Sequence, residues 1–277
     1  MKVRWPFLPT VAVLVSMAAL LSGCPWGDDD QIVAPARQGH LLDDNTVALW
    51  RLDEAAASDN AVDATGSYTL QQFGSPDVVS GQIGNARQLD GSAKFFQRQG
   101  DAALGTALNG DWTYEGWVYL DNTFNTTAVL FVYNGLNFSA VDNDVILAEV
   151  GVGSDRKIRW YQWHSWTPVN NYTEGVSSAA LPTGQFTHVA VSRTAQGGNQ
   201  FTYRIYVNGA LDNTTTNVAG ISYAVTGANH YIGLGCYTVN SGLGYGGAVL
   251  NGRLDDTRIS KVARSDAEIL QSYQRGR

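Results

Sequence analysis

Hydrophobic and polar residues alternate in short runs along most of this chain, and glycine-rich turns break the runs. From Thr46 onward the alternation predicts strands over Val47–Leu52, Ala93–Phe96, Asp111–Leu120, Ala128–Tyr133, Asp144–Val150, Lys157–His164, Gln185–Thr194, Phe201–Val207 and Tyr231–Leu234. The most apolar of them is Asp111–Leu120. It places Trp112, Tyr114 and Val118 on one face and Trp117 and Tyr119 on the other, which predicts a central strand covered on both sides. Asn208-Gly209 predicts a two-residue hairpin turn after Tyr203–Val207, and Asp90-Gly91 another tight turn.

The pattern closes with Leu250–Ser260. Leu254, Thr257 and Ile259 predict a last strand, interrupted by the adjacent acids Asp255 and Asp256. Ser265 and Glu268 then have the spacing of a capping box and predict a short helix. This last strand needs a partner far back in the chain, and Val47–Leu52 is the expected one. Around a dozen short strands with almost no helix predict an all-β fold, a sandwich or a jelly roll, forming a single domain over about 44–277.

The N-terminus has a different pattern. Lys2 and Arg4 precede an apolar run, Val11–Leu21, that is too short for a stable membrane span. The run ends in Leu21-Ser22-Gly23-Cys24, which resembles the lipobox of bacterial lipoproteins. That resemblance implies removal of residues 1–23 as a signal peptide and acylation of Cys24, which would anchor the protein to a membrane. A plain signal peptide followed by a chance cysteine is the alternative. Pro25 follows Cys24, where an Asp would mark inner-membrane retention in many such proteins, so the resemblance points to the outer membrane of a bacterial cell envelope. Residues 24–43 lack an apolar period and contain the acidic run Asp28–Asp30, reading as a flexible tether with a reach of about 25 Å.

Composition narrows the picture further. Charged residues make up only 16% of the 277, whereas glycine (30), tryptophan (8) and tyrosine (13) are abundant, which favours densely packed strands over solvated helices. A net charge of −7 argues against nucleic acid as a partner. Two cysteines leave no room for a disulfide framework, and Cys236 reads as a small buried hydrophobe.

Several segments together carry a resemblance: Val47–Glu54, Ala61–Gly66, Val79–Ala86, Leu89–Gly91, Trp112–Val118, Phe186–Ser192, Ile205–Gly209 and Asn251–Ile259. Their order and content are similar to the LamG-like jelly-roll domains of the concanavalin A-like lectin/glucanase superfamily. The resemblance implies two curved antiparallel sheets with the first and last strands adjacent. It leaves function open, because that fold hosts lectins, glycan hydrolases and adhesion modules, so function must be argued from sites.

Hydrolytic members of the superfamily carry two glutamates and an aspartate alternating on one strand, and a retaining glycosidase needs two carboxyls about 5–5.5 Å apart. The glutamates here are Glu54, Glu115, Glu149, Glu174 and Glu268, and no two share a strand at that spacing. Glu115 reads as a structural residue and His188 as a packed, satisfied histidine. No catalytic residues are assigned, and a non-catalytic protein is expected, with a glycan-active hydrolase with an atypical site or a purely structural envelope protein as alternatives.

Many LamG-like domains bind one Ca²⁺ near the junction of first and last strands, and the resemblance places its ligands at Asp63 and Asp255, completed by backbone carbonyls of Ala64–Tyr68. The alternative has Asp63 capping its turn and Asp255 paired with Arg253 or Arg258. For ligand binding, Arg159, Tyr161 and Trp163 share one strand face, opposite Ile158, Trp160 and Gln162. If solvated, that face offers an aromatic platform for a sugar ring, extended by Trp166 and Tyr172 in the following loop; otherwise the aromatics serve as core. The expected function is adhesion or interaction, through binding of a glycan or an envelope or extracellular protein.

Overall fold

The structure, a computed structural model, describes residues 36–135, 145–165, 171–220, 230–238, 243–244 and 246–277. The expected signal segment, Cys24 and the expected tether as far as Pro35 lie outside the described residues. No helix among the described residues is long and apolar enough to cross a membrane.

The strands are β1 (Thr46–Trp50), β2 (Gln71–Phe73), β3 (Asp77–Ser80), β4 (Asn85–Asp90), β5 (Phe95–Gln99), β6 (Trp112–Leu120), β7 (Ala128–Gly135), β8 (Val145–Val152), β9 (Lys157–Ser165), β10 (Asn171–Ala180), β11 (Phe186–Gly197), β12 (Gln200–Val207), β13 (Ala210–Ala219), β14 (His230–Leu234), β15 (Tyr237–Thr238), β16 (Gly246–Gly247) and β17 (Asn251–Ser260). Among the described residues two helices, α1 (Ala102–Leu108) and α2 (Asp266–Gly276), complete them. One sheet runs β13-β12-β11-β6-β17-β4-β3, with β1 also paired to β17. The other runs β10-β9-β8-β7-β14-β5-β2. The result is an antiparallel jelly-roll sandwich, as the strand pattern predicts.

The core lies between the sheets. Trp50, Trp112, Tyr114, Phe96, Phe131, Tyr133, Trp160 and Tyr203 are all buried there. Their rings pack in sequence: Trp160 stacks on Tyr203, Tyr203 meets the Trp112 edge at 6.0 Å, and Tyr114 stacks on Phe131 at 5.9 Å. β6 is covered on both faces. Trp112, Tyr114 and Val118 enter the core, while Trp117 lies under α2, with its ring 5.8 Å from that of Tyr273. The capping box at Ser265 and Glu268 starts α2 as expected. The hairpin at Asn208-Gly209 has φ of 50° and 76°, the positive values that a tight two-residue turn requires.

β17 is the strand that closes the sandwich. Its first half, Asn251–Leu254, pairs with β4, and its second half, Thr257–Ser260, pairs with β1 on the same edge. Between them the register against β6 slips: Asp255 faces Trp117 and Arg258 faces Glu115, so two residues oppose one. Asp256 takes up the bulge with φ 43°. The slip puts Asp255 and Arg258 on the same outer face, which plain alternation would not do.

The sequence reading is corrected in three places. β2, β3, β4, β10, β13, β15, β16 and α1 are present beyond the predicted elements. Tyr172, expected in a loop, lies on β10 opposite Trp163. The compact unit starts at Arg37 rather than 44. Gln38 N–H bonds the Arg275 carbonyl at 2.7 Å, and His40 N–H bonds the Asp256 carboxylate. Arg264 grips Asp43 through two bonds of 2.9 Å, so residues 37–43 form a strap rather than a free tether.

Candidate functional site

The outer face of the seven-stranded sheet is built by strand register. Gln71 faces Gln97, Gln97 faces Gly233, Gly233 faces Val132, Val132 faces Glu149, Glu149 faces Tyr161, and Tyr161 faces Glu174. Side chains in such a row point to one side of the sheet. Its middle is covered by the β15–β16 hairpin, where Tyr237 packs on Val129 and Val132.

On one side of that hairpin, β8, β9 and β10 present a mixed aromatic and acidic surface. The predicted split of β9 is what the structure has: Ile158 and Trp160 are in the core, and Gln162 is buried with its Oε1 accepting from the Tyr203 hydroxyl. Arg159 and Tyr161 are on the outer face and partly exposed. Tyr172 is 38% exposed, and its ring meets that of Tyr161 nearly edge-on at 5.6 Å between centroids. Trp163 pairs with Tyr172 in the backbone register, which places it on the same face; its side chain and all of Trp166 lie outside the described residues. Arg159 is fixed by Asp155 through bonds of 2.7 and 2.9 Å, with Glu174 at 3.7 Å. This clamp lowers the Asp155 carboxyl to about 2. Burial raises the Tyr161 phenol, so it stays a neutral hydroxyl throughout the working range.

Glu149 and Glu174 were not in the sequence-based set. They flank Tyr161 from the two neighbouring strands, Glu149 buried and Glu174 exposed. Only the pairing order reveals them, because they are 25 positions apart and share no motif. Aromatic ring, carboxylates and guanidinium together suit a polyhydroxylated ligand: the ring offers a face for C–H groups and the carboxylates accept hydroxyl protons.

On the other side of the hairpin, Asn60, Thr69, Gln71, Gln97, Gln99 and Leu243 line an open groove of about 500 Å³. It is rich in amides and has no aromatic ring among these residues.

The two expected calcium ligands are not brought together. Asp63 organises its own loop. Its Oδ1 accepts from Leu49 N–H (2.8 Å) and Thr65 N–H (3.0 Å), and its Oδ2 from Ser67 N–H (3.1 Å), Tyr68 N–H (2.8 Å) and the Thr65 hydroxyl. The loop thus turns amide hydrogens, not carbonyl oxygens, toward the carboxylate, which does not fit a cation there. Asp255 lies across β1 from this loop, since Trp50 pairs with Thr257 on one side and bridges Asp63 on the other. The Asp255 carboxylate accepts from Ile83 N–H at 2.8 Å, and burial pushes it up to about 8, so it is held as a neutral acid. It pairs with neither expected arginine: Arg253 bonds Gln88 and lies over the Tyr119 ring, and Arg258 bonds Glu115.

With this geometry in place, comparison with known proteins identifies the fold family. A laminin G-type family model, described as the Concanavalin A-like lectin/glucanases superfamily, matches residues 90–270, and the chain belongs to that superfamily. No curated protein sequence matches. Solved structures share the fold. Domain 4 of an extracellular arabinanase from Geobacillus stearothermophilus, in complex with arabinotriose, has TM-score 0.57 and 21% identity over 83% of this chain and 98% of that one. A carbohydrate-binding module of a Ruminococcus gnavus sialidase, bound to sialyllactose, has TM-score 0.52 and 14% identity over 67% of this chain and 95% of that one. A botulinum neurotoxin type C structure, whose cell entry depends on two ganglioside molecules, has TM-score 0.57 and 12% identity over 84% of this chain and 52% of that one.

Proposed function

We propose that this protein is a glycan-binding module carried by a lipid-anchored envelope protein, and that it binds without turnover. The observation that supports the site most directly is the Tyr161–Tyr172 pair with Glu149 and Glu174 on either side of Tyr161, on the outer face of a lectin-type sheet. The bound sugars in the arabinanase domain and the sialidase module are consistent with this reading. The exposed Glu174 carboxylate can accept hydroxyl protons, and with Glu149 buried beneath the same face it disfavours an anionic sugar, which favours a neutral glycan. Binding without hydrolysis agrees with the spacing of the acids: among the described strands none places two carboxylates at alternate positions on one face.

The anchor rests on Leu21-Ser-Gly-Cys24 and the apolar run before it. Labelling with a fatty-acid analogue tests it: incorporation into the wild type and none into Cys24→Ser is the expected result. For the glycan site, an array of neutral and sialylated oligosaccharides is the test. The wild type is expected to retain neutral glycans and Tyr161→Ala to lose them; equal retention by both proteins would sink the assignment, as would release of reducing ends from a bound polysaccharide.

A further inference from the structure

On the opposite sheet, under α2, His40, Glu115 and His188 meet in the protein interior. His188 and Glu115 are 0% exposed and the His40 side chain 1%. They come from three separate parts of the chain: the strap before β1, the centre of β6 and the start of β11. β6 and β11 are paired, with His188 opposite Trp117 and Ala190 opposite Glu115, so Glu115 and His188 lie side by side on one face. The two imidazole rings are 5.6 Å apart between centroids, and His188 Nε2 is 3.8 Å from Glu115 Oε2. One ligand atom from each of the three residues lies within 4.8 Å of the other two.

Five polar atoms here have no hydrogen-bond partner among the described residues: both nitrogens of His40, both of His188, and Glu115 Oε2. Buried polar atoms are normally bonded, and leaving one unsatisfied is costly. Five in one place point to a group that satisfies several at once. Burial lowers both histidines from their ordinary value, His188 to about 3, so their lone pairs are available near neutral pH. The other carboxylate oxygen, Oε1, is already held by Arg258 at 2.5 Å, which orients Glu115 so that Oε2 faces the imidazoles.

We propose that His40, Glu115 and His188 bind one divalent transition-metal ion of the zinc type, which clips the strap ahead of β1 onto the sandwich. Two imidazoles and a carboxylate are the donors that zinc takes, with a fourth position left for water. Bonds of about 2.0–2.1 Å bring tetrahedral ligands to about 3.3 Å from one another, so the ion draws the three side chains inward. The nearby charges are Glu115, Asp256, Asp43 and Glu268 against Arg51, Arg258, Arg264 and Arg275, four of each sign. A pocket of about 110 Å³ is lined by Leu41, Asp43, Arg258, Arg264, Ser272 and Arg275, and Arg258 joins it to Glu115. The sequence hid this site because His40 falls in a stretch that reads as tether and the three residues share no motif.

The test uses the full chain, stripped of metal and titrated with Co²⁺ and then Zn²⁺. Visible Co²⁺ absorption is expected to saturate at one equivalent, and Zn²⁺ to displace it and raise the melting temperature. His40→Ala, which changes only the strap, is expected to keep the fold by circular dichroism and lose both the absorption and the thermal shift. No Co²⁺ absorption and no Zn²⁺ shift in the wild type would overturn the proposal, and so would either signal persisting at full strength in His40→Ala.

Discussion

Glu115 on β6 and Arg258 on β17 face each other across the outer side of the first sheet, 2.5 Å apart and shielded from solvent. Arg264 approaches the same carboxylate oxygen at 3.4 Å, and Arg258 also bonds Ser272 of α2 and the Leu41 carbonyl of the strap. One ion pair therefore joins the central strand, the closing strand, the last helix and the strap.

Removing Arg258 leaves the buried Glu115 carboxylate with only the longer contact to Arg264, at 3.4 Å. Arg258→Met is expected to destabilise the fold by about 3–5 kcal/mol, read from urea unfolding. A loss below about 1 kcal/mol would mean that the pair contributes little beyond what packing supplies.

Asp63 holds its loop through five donors, so Asp63→Ala orphans several amides at once. A loss of at least about 2 kcal/mol is expected. Because the surrounding groups are N–H and O–H donors, the loss should be the same in Ca²⁺ as after chelation. A loss seen only in Ca²⁺ would restore Asp63 as a calcium ligand.

Asp255 gives a pH signature. Its folded value of about 8 lies far above the ordinary carboxylate value of about 3.9, chiefly through burial, with Asp256 and Asp53 adding to it. Between those values the folded protein holds a proton that the unfolded chain releases. Stability therefore falls as pH rises through this window, by up to about 1.4 kcal/mol per pH unit from this group. Asp255→Asn, a neutral stand-in for the protonated acid, is expected to match the wild type near pH 4 and to exceed it increasingly toward pH 8. Parallel melting curves for the two proteins across that range would show that the carboxyl ionises freely in the fold.

Gly81 explains part of the Val79–Ala86 segment that marks the superfamily resemblance. A Cβ there would sit 2.6 Å from Asp255 Oδ2 and against the Asn85 carbonyl. Gly81→Ala is expected to cost about 1–3 kcal/mol, measured by denaturant unfolding. A neutral substitution would show that the loop can retreat from β17.

Much of the fold was legible because its signals are local. The two-faced pattern of Trp112–Leu120, the alternation of Lys157–His164, the turn at Asn208-Gly209 and the capping box at Ser265 each act over a few residues. β10 was hidden because Asn171–Ala180 is rich in Ser, Gly and Ala and gains its strand pairing from β9. The bulge at Asp256 was hidden for a related reason: it exists because β17 changes partner from β4 to β1, a fact of tertiary pairing. Of the proposed glycan face, Arg159, Tyr161 and Trp163 were readable from one strand's alternation. Glu149 and Glu174 join them only through the order β8-β9-β10.

The central claim is that this outer face binds a neutral glycan, and calorimetric titration with a neutral oligosaccharide selected on the array tests it most directly. Wild-type protein is expected to bind, Tyr161→Ala to lose detectable heat, and Glu174→Gln to weaken by about tenfold, or about 1.4 kcal/mol, with all three folds intact by circular dichroism. Undiminished binding by a correctly folded Tyr161→Ala would contradict the account.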